Sequence, residues 1–269
     1  ERMLTALERG VKGGCWFSLM DKVYALDNLR AAYERVHANR GAAGVDHQTV
    51  AMFAHAAGAN LEGLARSLRE GPYCPQAVKR VWIPKPGKPE KRGLGIPTLR
   101  DRVTQELLRM LMEPIWESDF LDCSHGFRPG RRTMDCISVF YSRVHVVNKF
   151  FWVIEGDIRK CFDRINHRIL MSLIQQRIDD RRIEALIEAF LKAGILDDGL
   201  FRDTPEGTPQ GGILSPLLAN IYLHQLDLWW WRKFGKLTHQ EKWKRRLAIE
   251  GNALMVRYAD DFVLLWNGT

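Results

Sequence analysis

Two adjacent carboxylates, Asp260 and Asp261, lie between two short apolar segments near the end of the sequence. Residues 253–256 and 262–265 have the composition of β-strands, so the pattern predicts a β-hairpin whose tight turn presents both acids. Neighbouring carboxylates repel each other, and a cation between them favours the ionised form of both. Their hard oxygen atoms suit Mg²⁺. The turn therefore indicates a metal site that handles phosphates, while a solvated Asp-Asp turn is the simpler interpretation of the turn alone.

A third acid, Asp157, ends the strand-like run 151–157. An acid at a strand end can meet acids of a hairpin turn across adjacent strands, and such a trio could hold two divalent ions. Two ions a few ångströms apart can activate an attacking 3′-oxygen and stabilise a leaving pyrophosphate. The alternative is that Asp157 only caps the turn that follows it.

The surrounding elements are predicted from hydrophobic periodicity, caps and turn residues. The first 70 residues favour helices, with a turn at 41–44, and a strand over 78–84 returns at 94–97. Thr98 begins a helix that buries one apolar face (Val103, Leu107, Met110, Leu111 and Ile115). Asn166 caps a helix expected to bury Ile169, Leu170, Leu173 and Ile174. A further apolar helix is predicted from Ser215-Pro216 to about residue 229. Alternating strands and helices indicate an α+β fold.

These motifs resemble a known family. The Tyr258-Ala259-Asp260-Asp261 box resembles the active-site motif of reverse transcriptases, and segment 207–223 resembles their Pro-Gln-Gly block. Further similar segments follow in the family's order: residues 40–46, 83–88, 94–102 and 125–131. The set is most similar to bacterial group II intron-encoded proteins. The resemblance implies an RNA-directed DNA polymerase of group II intron type, from about residue 20 to the end.

The resemblance implies a right-hand polymerase with fingers and palm, the palm being an antiparallel sheet backed by helices and the thumb absent. Residues 1–70 are then a helical N-terminal extension, and residues 71–145 the fingers with the start of the palm. Residues 146–269 are the palm, incomplete at its C-terminus and with a fingers excursion around 166–214.

The family's catalytic roles fall on Asp157, Asp260 and Asp261, which are expected to hold two Mg²⁺ ions, with Mn²⁺ as a substitute. The backbone carbonyl of Ile158 is expected to join them as a metal ligand. The residues expected to bind the nucleotide are Lys85, Arg92, Ile158, Phe162 and Gln210. Lys85 and Arg92 bind the triphosphate, although Gly93 stands where the family usually has proline, so a looser loop is expected.

Phe162 is expected to act as a steric gate whose ring collides with a 2′-hydroxyl, and a core phenylalanine is the alternative. The glycines beside Gln210 are expected to let backbone approach a ligand closely. The residues expected to bind nucleic acid are Arg128, Arg131, Arg132 and Tyr258, with a charged surface loop as the alternative for the three arginines. Segment 240–246, after the tryptophans 229–231, mixes cations with aromatics. That composition suits stacking on single-stranded nucleic acid and equally suits a core edge with a solvated face.

Composition agrees with a polyanionic partner. The 269 residues include 40 lysines and arginines against 32 acids, a net charge of +8, and 46% are hydrophobic, which supports a folded core. The resemblance implies an RNA template, a DNA primer, deoxynucleoside triphosphates and a structured intron RNA as partners; a second copy in a homodimer is also expected, and a membrane is not. Five scattered cysteines favour a reducing compartment, here the bacterial cytosol.

Two other functions remain open from the sequence. The chain could be an RNA-binding splicing cofactor that uses the polymerase fold mainly for docking, or a reverse transcriptase of a CRISPR-linked, retron or diversity-generating system. The three acids favour an enzyme, because a protein that only binds RNA has no need to direct three carboxylates at one point.

Overall fold

The computed structural model describes residues 14–87, 89–144 and 150–268. The chain forms two compact units. The first contains the residues up to Asp119 together with Phe162–Leu218, and the second contains Phe120–Cys161 and the residues from Ala219 onwards. The predicted division into extension, fingers and palm stays a prediction. Within the described ranges, no helix has the length and apolar character needed to cross a membrane.

The elements are numbered in chain order. The helices are α1 (Met20–Val23), α2 (Leu26–Ala38), α3 (Val50–His55), α4 (Ala57–Glu70), α5 (Leu99–Glu117), α6 (Thr133–Val144), α7 (His167–Gln175), α8 (Arg181–Leu191), α9 (Ser215–Trp230) and α10 (His239–Leu247). The strands are β1 (Val78–Pro84), β2 (Lys91–Ile96), β3 (Trp152–Asp157), β4 (Ile195–Asp197), β5 (Leu200–Arg202), β6 (Ala253–Tyr258) and β7 (Asp261–Trp266). A 3₁₀ turn spans Phe162–Arg164, and a π-helical turn at Trp231–Gly235 extends α9.

Each unit has its own β-sheet. In the first unit the strand order is β2-β1-β4-β5; β1 is antiparallel to β2 and parallel to β4. In the second unit the order is β3-β7-β6, and both pairings are antiparallel. Helices alternate with strands along the chain, and the strand pairings are mostly antiparallel, which confirms the predicted α+β class. Helices are present in the N-terminal region from Met20 onwards, as predicted, and residues 1–13 lie outside the described residues.

Helix α5 forms the centre of the first unit. Thr98 caps it, because its hydroxyl accepts a hydrogen bond from the Asp101 amide at 3.2 Å. The predicted apolar face is buried, but fourteen of the nineteen residues are buried, so burial is not confined to one face. Polar side chains such as Gln105 and Glu106 are therefore also inside and make hydrogen bonds there.

Helix α7 begins as predicted. The Asn166 side chain accepts a hydrogen bond from the Ile169 amide at 3.1 Å. Leu170, Leu173 and Ile174 are buried, but Ile169 is 48% exposed, so the expectation that it is buried was wrong. Together with Met171, the three buried side chains form the buried stripe, and Ile169 lies about 120° around the helix from its middle.

Candidate active site

The three predicted acids lie at one end of the sheet of the second unit. Asp261 begins β7, where it is opposite both Asp157, the last residue of β3, and Tyr258, the last residue of β6. Ala259 and Asp260 form the connecting turn. The Ile158 amide donates a hydrogen bond to the Asp260 carbonyl at 3.1 Å, which ties the end of β3 to this turn. The hairpin and the strand predicted from the sequence therefore bring Asp157, Asp260 and Asp261 to the same sheet end.

The acids influence each other's ionisation. The pKa of Asp261 is raised above its ordinary value, first by burial and then by the charges of Asp260, Asp157 and Glu155. A cluster of this kind favours a cation, because a positive charge would offset both the repulsion and the loss of solvent. In the described part of the chain, however, no three His, Cys, Asp or Glu side chains are arranged as ligands of one metal ion. The convergence of the three carboxylates on a shared metal centre stays a prediction.

The donor atoms fit a hard divalent cation. Three carboxylates offer only oxygen ligands, which Mg²⁺ and Mn²⁺ accept. The Ile158 carbonyl accepts a hydrogen bond from the Cys161 amide at 3.1 Å. Since a carbonyl oxygen has two lone pairs, one is left for a metal.

A buried arginine holds the turn from behind. Arg257 is fully buried, and its guanidinium donates to both carboxylate oxygens of Asp227, at 2.8 and 2.5 Å. The same guanidinium donates to the Ala259 carbonyl at 2.8 Å. Asp227 belongs to α9, so the bidentate pair fixes the backbone beside Asp260 to that helix.

Two further side chains complete this network. The Arg257 guanidinium donates to the Ser124 hydroxyl at 2.7 Å and to the Asn220 side-chain oxygen at 3.1 Å. The Asn220 amide in turn donates to the Gly126 carbonyl at 2.8 Å. A side chain at Gly126 would overlap the Ala259 amide nitrogen, so only glycine allows this segment to lie against the turn. Ala259 itself has a left-handed backbone, with φ of 58°.

The sequence interpretation missed this network. Two signals could have indicated it: Arg257 is the charged residue of an otherwise apolar strand, and Asp227 is the acid of an apolar helix. Burial, the largest single effect, acts to raise the pKa of Asp227. The hydrogen bonds and charge of Arg257, together with the His224 imidazole 3.9 Å from the carboxylate, outweigh it, so the pKa of Asp227 lies below its ordinary value.

Lys85 and Arg92 lie on the β1–β2 hairpin of the first unit, as predicted. Arg92 is opposite Ile83 in the strand register. The Lys85 amide donates to the Glu90 carbonyl at 3.2 Å, and its ammonium lies 3.9 Å from the Glu90 carboxylate. Both cations are exposed, so a triphosphate can reach them. Their role in binding it stays a prediction.

The Gln210 loop packs on strand β2. The Gly95 amide donates to the Gln210 carbonyl at 2.5 Å, and the Ile213 amide donates to the buried side-chain oxygen of Gln105 at 2.9 Å. Gly211 has φ of 106°, and a side chain there would overlap the Gly95 carbonyl. Glycine is therefore needed at position 211 because the loop lies close to strand β2 of the protein itself. The sequence had suggested a close approach to a ligand.

Phe162 begins the 3₁₀ turn of the first unit and is half-buried. Its carbonyl accepts a hydrogen bond from the Thr208 amide at 2.7 Å, so the turn is attached to the segment that precedes Gln210. The steric-gate role stays a prediction.

The arginines predicted to bind nucleic acid differ in exposure. Arg128 is only 7% exposed; its guanidinium donates to the carbonyls of Leu121 and Ser124 at 2.7 and 2.8 Å. Its guanidinium is thus engaged inside the second unit, and its contact with phosphate stays a prediction.

Arg131 and Arg132 are more accessible. Arg131 donates to the exposed carboxylate of Asp122 at 2.7 Å, and Arg132 is exposed. The Tyr258 hydroxyl accepts a hydrogen bond from the Thr133 hydroxyl at 3.3 Å. These three residues stay candidates for nucleic-acid binding.

Comparison with known proteins gives the class of protein. Residues 83–269 match the family described as "Reverse transcriptase (RNA-dependent DNA polymerase)", so the chain belongs to this family.

Curated relatives narrow the comparison. The chain is 43% identical over 203 residues to the group II intron-encoded protein LtrA of Lactococcus lactis subsp. cremoris, covering 75% of this chain and 33% of LtrA. It is 40% identical over 247 residues to protein YkfC of Escherichia coli (strain K12), covering 84% of this chain and 64% of YkfC. The chain thus spans between one third and two thirds of the length of these relatives.

A solved structure supports the fold. A chain of the "Partial Cas6-RT-Cas1--Cas2 complex" superposes with a TM-score of 0.57 at 19% identity, covering 93% of this chain and 38% of that chain. At this identity the similarity bears on the fold alone.

Proposed function

We propose that this chain catalyses RNA-directed DNA synthesis, with Asp157, Asp260 and Asp261 as the catalytic carboxylates. The observation that carries the proposal is the strand register that gathers these acids at one sheet end in a chain of the reverse transcriptase family. The three carboxylates and the Ile158 carbonyl would hold two divalent ions, Mg²⁺ or Mn²⁺. When bound, such ions activate the primer 3′-oxygen and neutralise charge on the leaving pyrophosphate.

The remaining roles belong to the protein's own side chains. Lys85 and Arg92 neutralise the triphosphate of the incoming deoxynucleotide, and Gln210 bonds its sugar or base edge. Phe162 excludes nucleotides with a 2′-hydroxyl. Arg257 acts through the Ala259 carbonyl and is a positioning residue, because it touches no reacting atom in this scheme.

Primer extension on an RNA template tests the proposal. Asp260→Asn should lower the rate of DNA synthesis at least about a hundredfold, a loss typical of removing one charge-stabilising group from an active site. RNA binding measured in parallel should change little, because one half-buried acid in a net-positive chain contributes little to phosphate contact. Asp163→Asn removes an exposed acid from the first unit and serves as the matched control. Equal synthesis by wild type and Asp260→Asn would refute the proposal.

We further propose that the polymerase acts on a group II intron RNA. The support is the similarity to a group II intron-encoded protein at 43% identity. The experiment compares binding to a structured intron RNA with binding to an unrelated RNA of equal length. Equal affinity would leave the polymerase proposal in place and refute the intron partner. The splicing-cofactor alternative predicts a different result: neither the wild type nor Asp260→Asn makes DNA, and both are fully active in an intron-splicing assay.

A further inference from the structure

Helix α10 carries a concentrated positive charge that the proposed chemistry does not use. Segment 232–246 contains seven lysines and arginines and one acid, Glu241, in a chain whose whole net charge is +8. None of the residues of α10 is buried. A capping box between Thr238 and Glu241 fixes the start of the helix, so the cations are presented on a defined element.

One arginine anchors the helix and the others remain available. The Arg245 guanidinium donates to the Gly251 carbonyl at 2.9 Å and lies over the Phe234 ring, 5.7 Å from its centre. Among the described residues, no ion pair involves Lys242, Lys244 or Arg246. By comparison, the surface cation Lys192 is paired with Glu188 at 2.8 Å. Unpaired cations retain mobile counterions, whose release favours binding of a polyanion.

An exposed aromatic ring lies among these cations. Trp243 is 58% exposed, and within the described chain no ring contact or cation–π contact involves it. At 100° per residue, Lys242, Arg246 and Trp243 fall within one 100° sector of the helix. Cations and an aromatic ring on one face suit a strand that offers both phosphates and unstacked bases. A membrane-surface helix would instead separate its apolar face from its cations.

We infer that the exposed face of α10, formed by Lys242, Trp243 and Arg246, binds single-stranded RNA by pairing with phosphates and stacking on a base. The choice of RNA rests on the proposed function, because in RNA-templated synthesis the strand still unpaired is RNA. The Asn252 amide donates to the Lys242 carbonyl at 3.0 Å beside the start of β6, whereas the carboxylates follow the end of that strand, and binding through α10 requires no metal.

Fluorescence anisotropy with a labelled, unstructured RNA oligomer tests the inference over a range of salt concentrations. Lys242→Gln/Arg246→Gln should reduce the slope of log affinity against log salt by about 1.4, since each phosphate contact to a single strand contributes about 0.7. Trp243→Ala should weaken binding about 5- to 150-fold with the slope unchanged, and Trp243→Phe should restore most of the affinity. Arg66→Gln/Arg181→Gln removes two exposed helical cations elsewhere and should change little.

Several results would overturn the inference. The first is an unchanged RNA affinity in Trp243→Ala. The second is a change in the salt slope of Arg66→Gln/Arg181→Gln equal to that of Lys242→Gln/Arg246→Gln. The third is binding through Trp243 that favours single-stranded DNA over RNA. Unchanged RNA binding combined with loss of self-association, or of binding to anionic vesicles, would assign the surface to another partner. RNA binding needs no synthesis, so a chain that binds through Trp243 without making DNA refutes only the proposed polymerase function. A chain that makes DNA while Trp243→Ala binds RNA normally refutes only the surface.

Discussion

Replacing Arg257 by methionine should destabilise the second unit strongly. Arg257 and Asp227 are both fully buried, and Asp227 would lose its two hydrogen bonds from the guanidinium. Breaking a buried pair by removing one partner costs about 3–5 kcal/mol of unfolding free energy, because the other charge is left without compensation. Methionine fills similar volume, so a cavity contributes little to this loss.

The destabilisation should depend on pH. In the wild type the pKa of Asp227 lies below its ordinary value. The ionised carboxylate therefore contributes fully to the free energy of unfolding above its unfolded-state pKa, and this contribution is lost as pH falls through its folded-state pKa. Without Arg257, burial raises the pKa of Asp227 above the unfolded-state value of about 3.9. The folded variant then favours the neutral acid, and its stability falls as pH rises through that raised pKa. The difference between wild type and variant should therefore be larger at pH 8 than at pH 5.

Urea unfolding followed by circular dichroism at both pH values measures these effects. Arg245→Met, an arginine of the same unit that is partly exposed, is the matched control and should cost less than about 1 kcal/mol. The double variant Arg257→Met/Asp227→Leu should lose less unfolding free energy than the two single variants lose together, by up to about 3 kcal/mol. A loss below 1 kcal/mol in Arg257→Met, a loss independent of pH, or strictly additive losses would refute the reasoning.

Three further predictions concern the site. Gly126→Ala should lower kcat with little change in nucleotide KM, because the new methyl group would displace the Ala259 backbone. Gly63→Ala, where a methyl group meets open space, is the control and should leave kcat unchanged. Equal kcat for the two variants would contradict the packing argument. Lys85→Ala and Arg92→Ala should raise the KM for deoxynucleotide more than they weaken primer–template binding, and an unchanged KM would make both residues surface charges. Phe162→Val should admit ribonucleotides, reducing discrimination by orders of magnitude in a competition assay while the circular dichroism spectrum is retained; unchanged discrimination in the folded variant would exclude the gate.

Local patterns predicted the elements better than the contacts between them. The β-hairpin around Asp260, the strand β1 and the caps at Thr98 and Asn166 depend on neighbouring residues, so their signals lie within a few positions of sequence.

The polar network behind the turn could not be predicted in the same way. Arg257 meets Asp227 across 30 residues and Ser124 across 133, and only tertiary packing brings them together. The same limit explains Arg128, whose charge in a basic loop suggested phosphate binding although its guanidinium folds back onto the chain. Exposure of a charge depends on packing that the local sequence does not encode.

Binding of Mn²⁺ to the purified chain, followed by electron paramagnetic resonance, tests the central claim most directly. The wild type should bind Mn²⁺ in competition with Mg²⁺, and Asp157→Asn, Asp260→Asn and Asp261→Asn should each weaken binding. Because the pKa of Asp261 is raised, protons should compete with the metal and affinity should fall as pH is lowered. Equal Mn²⁺ binding by the wild type and by a variant that carries all three substitutions would contradict the claim that these three carboxylates form the metal site.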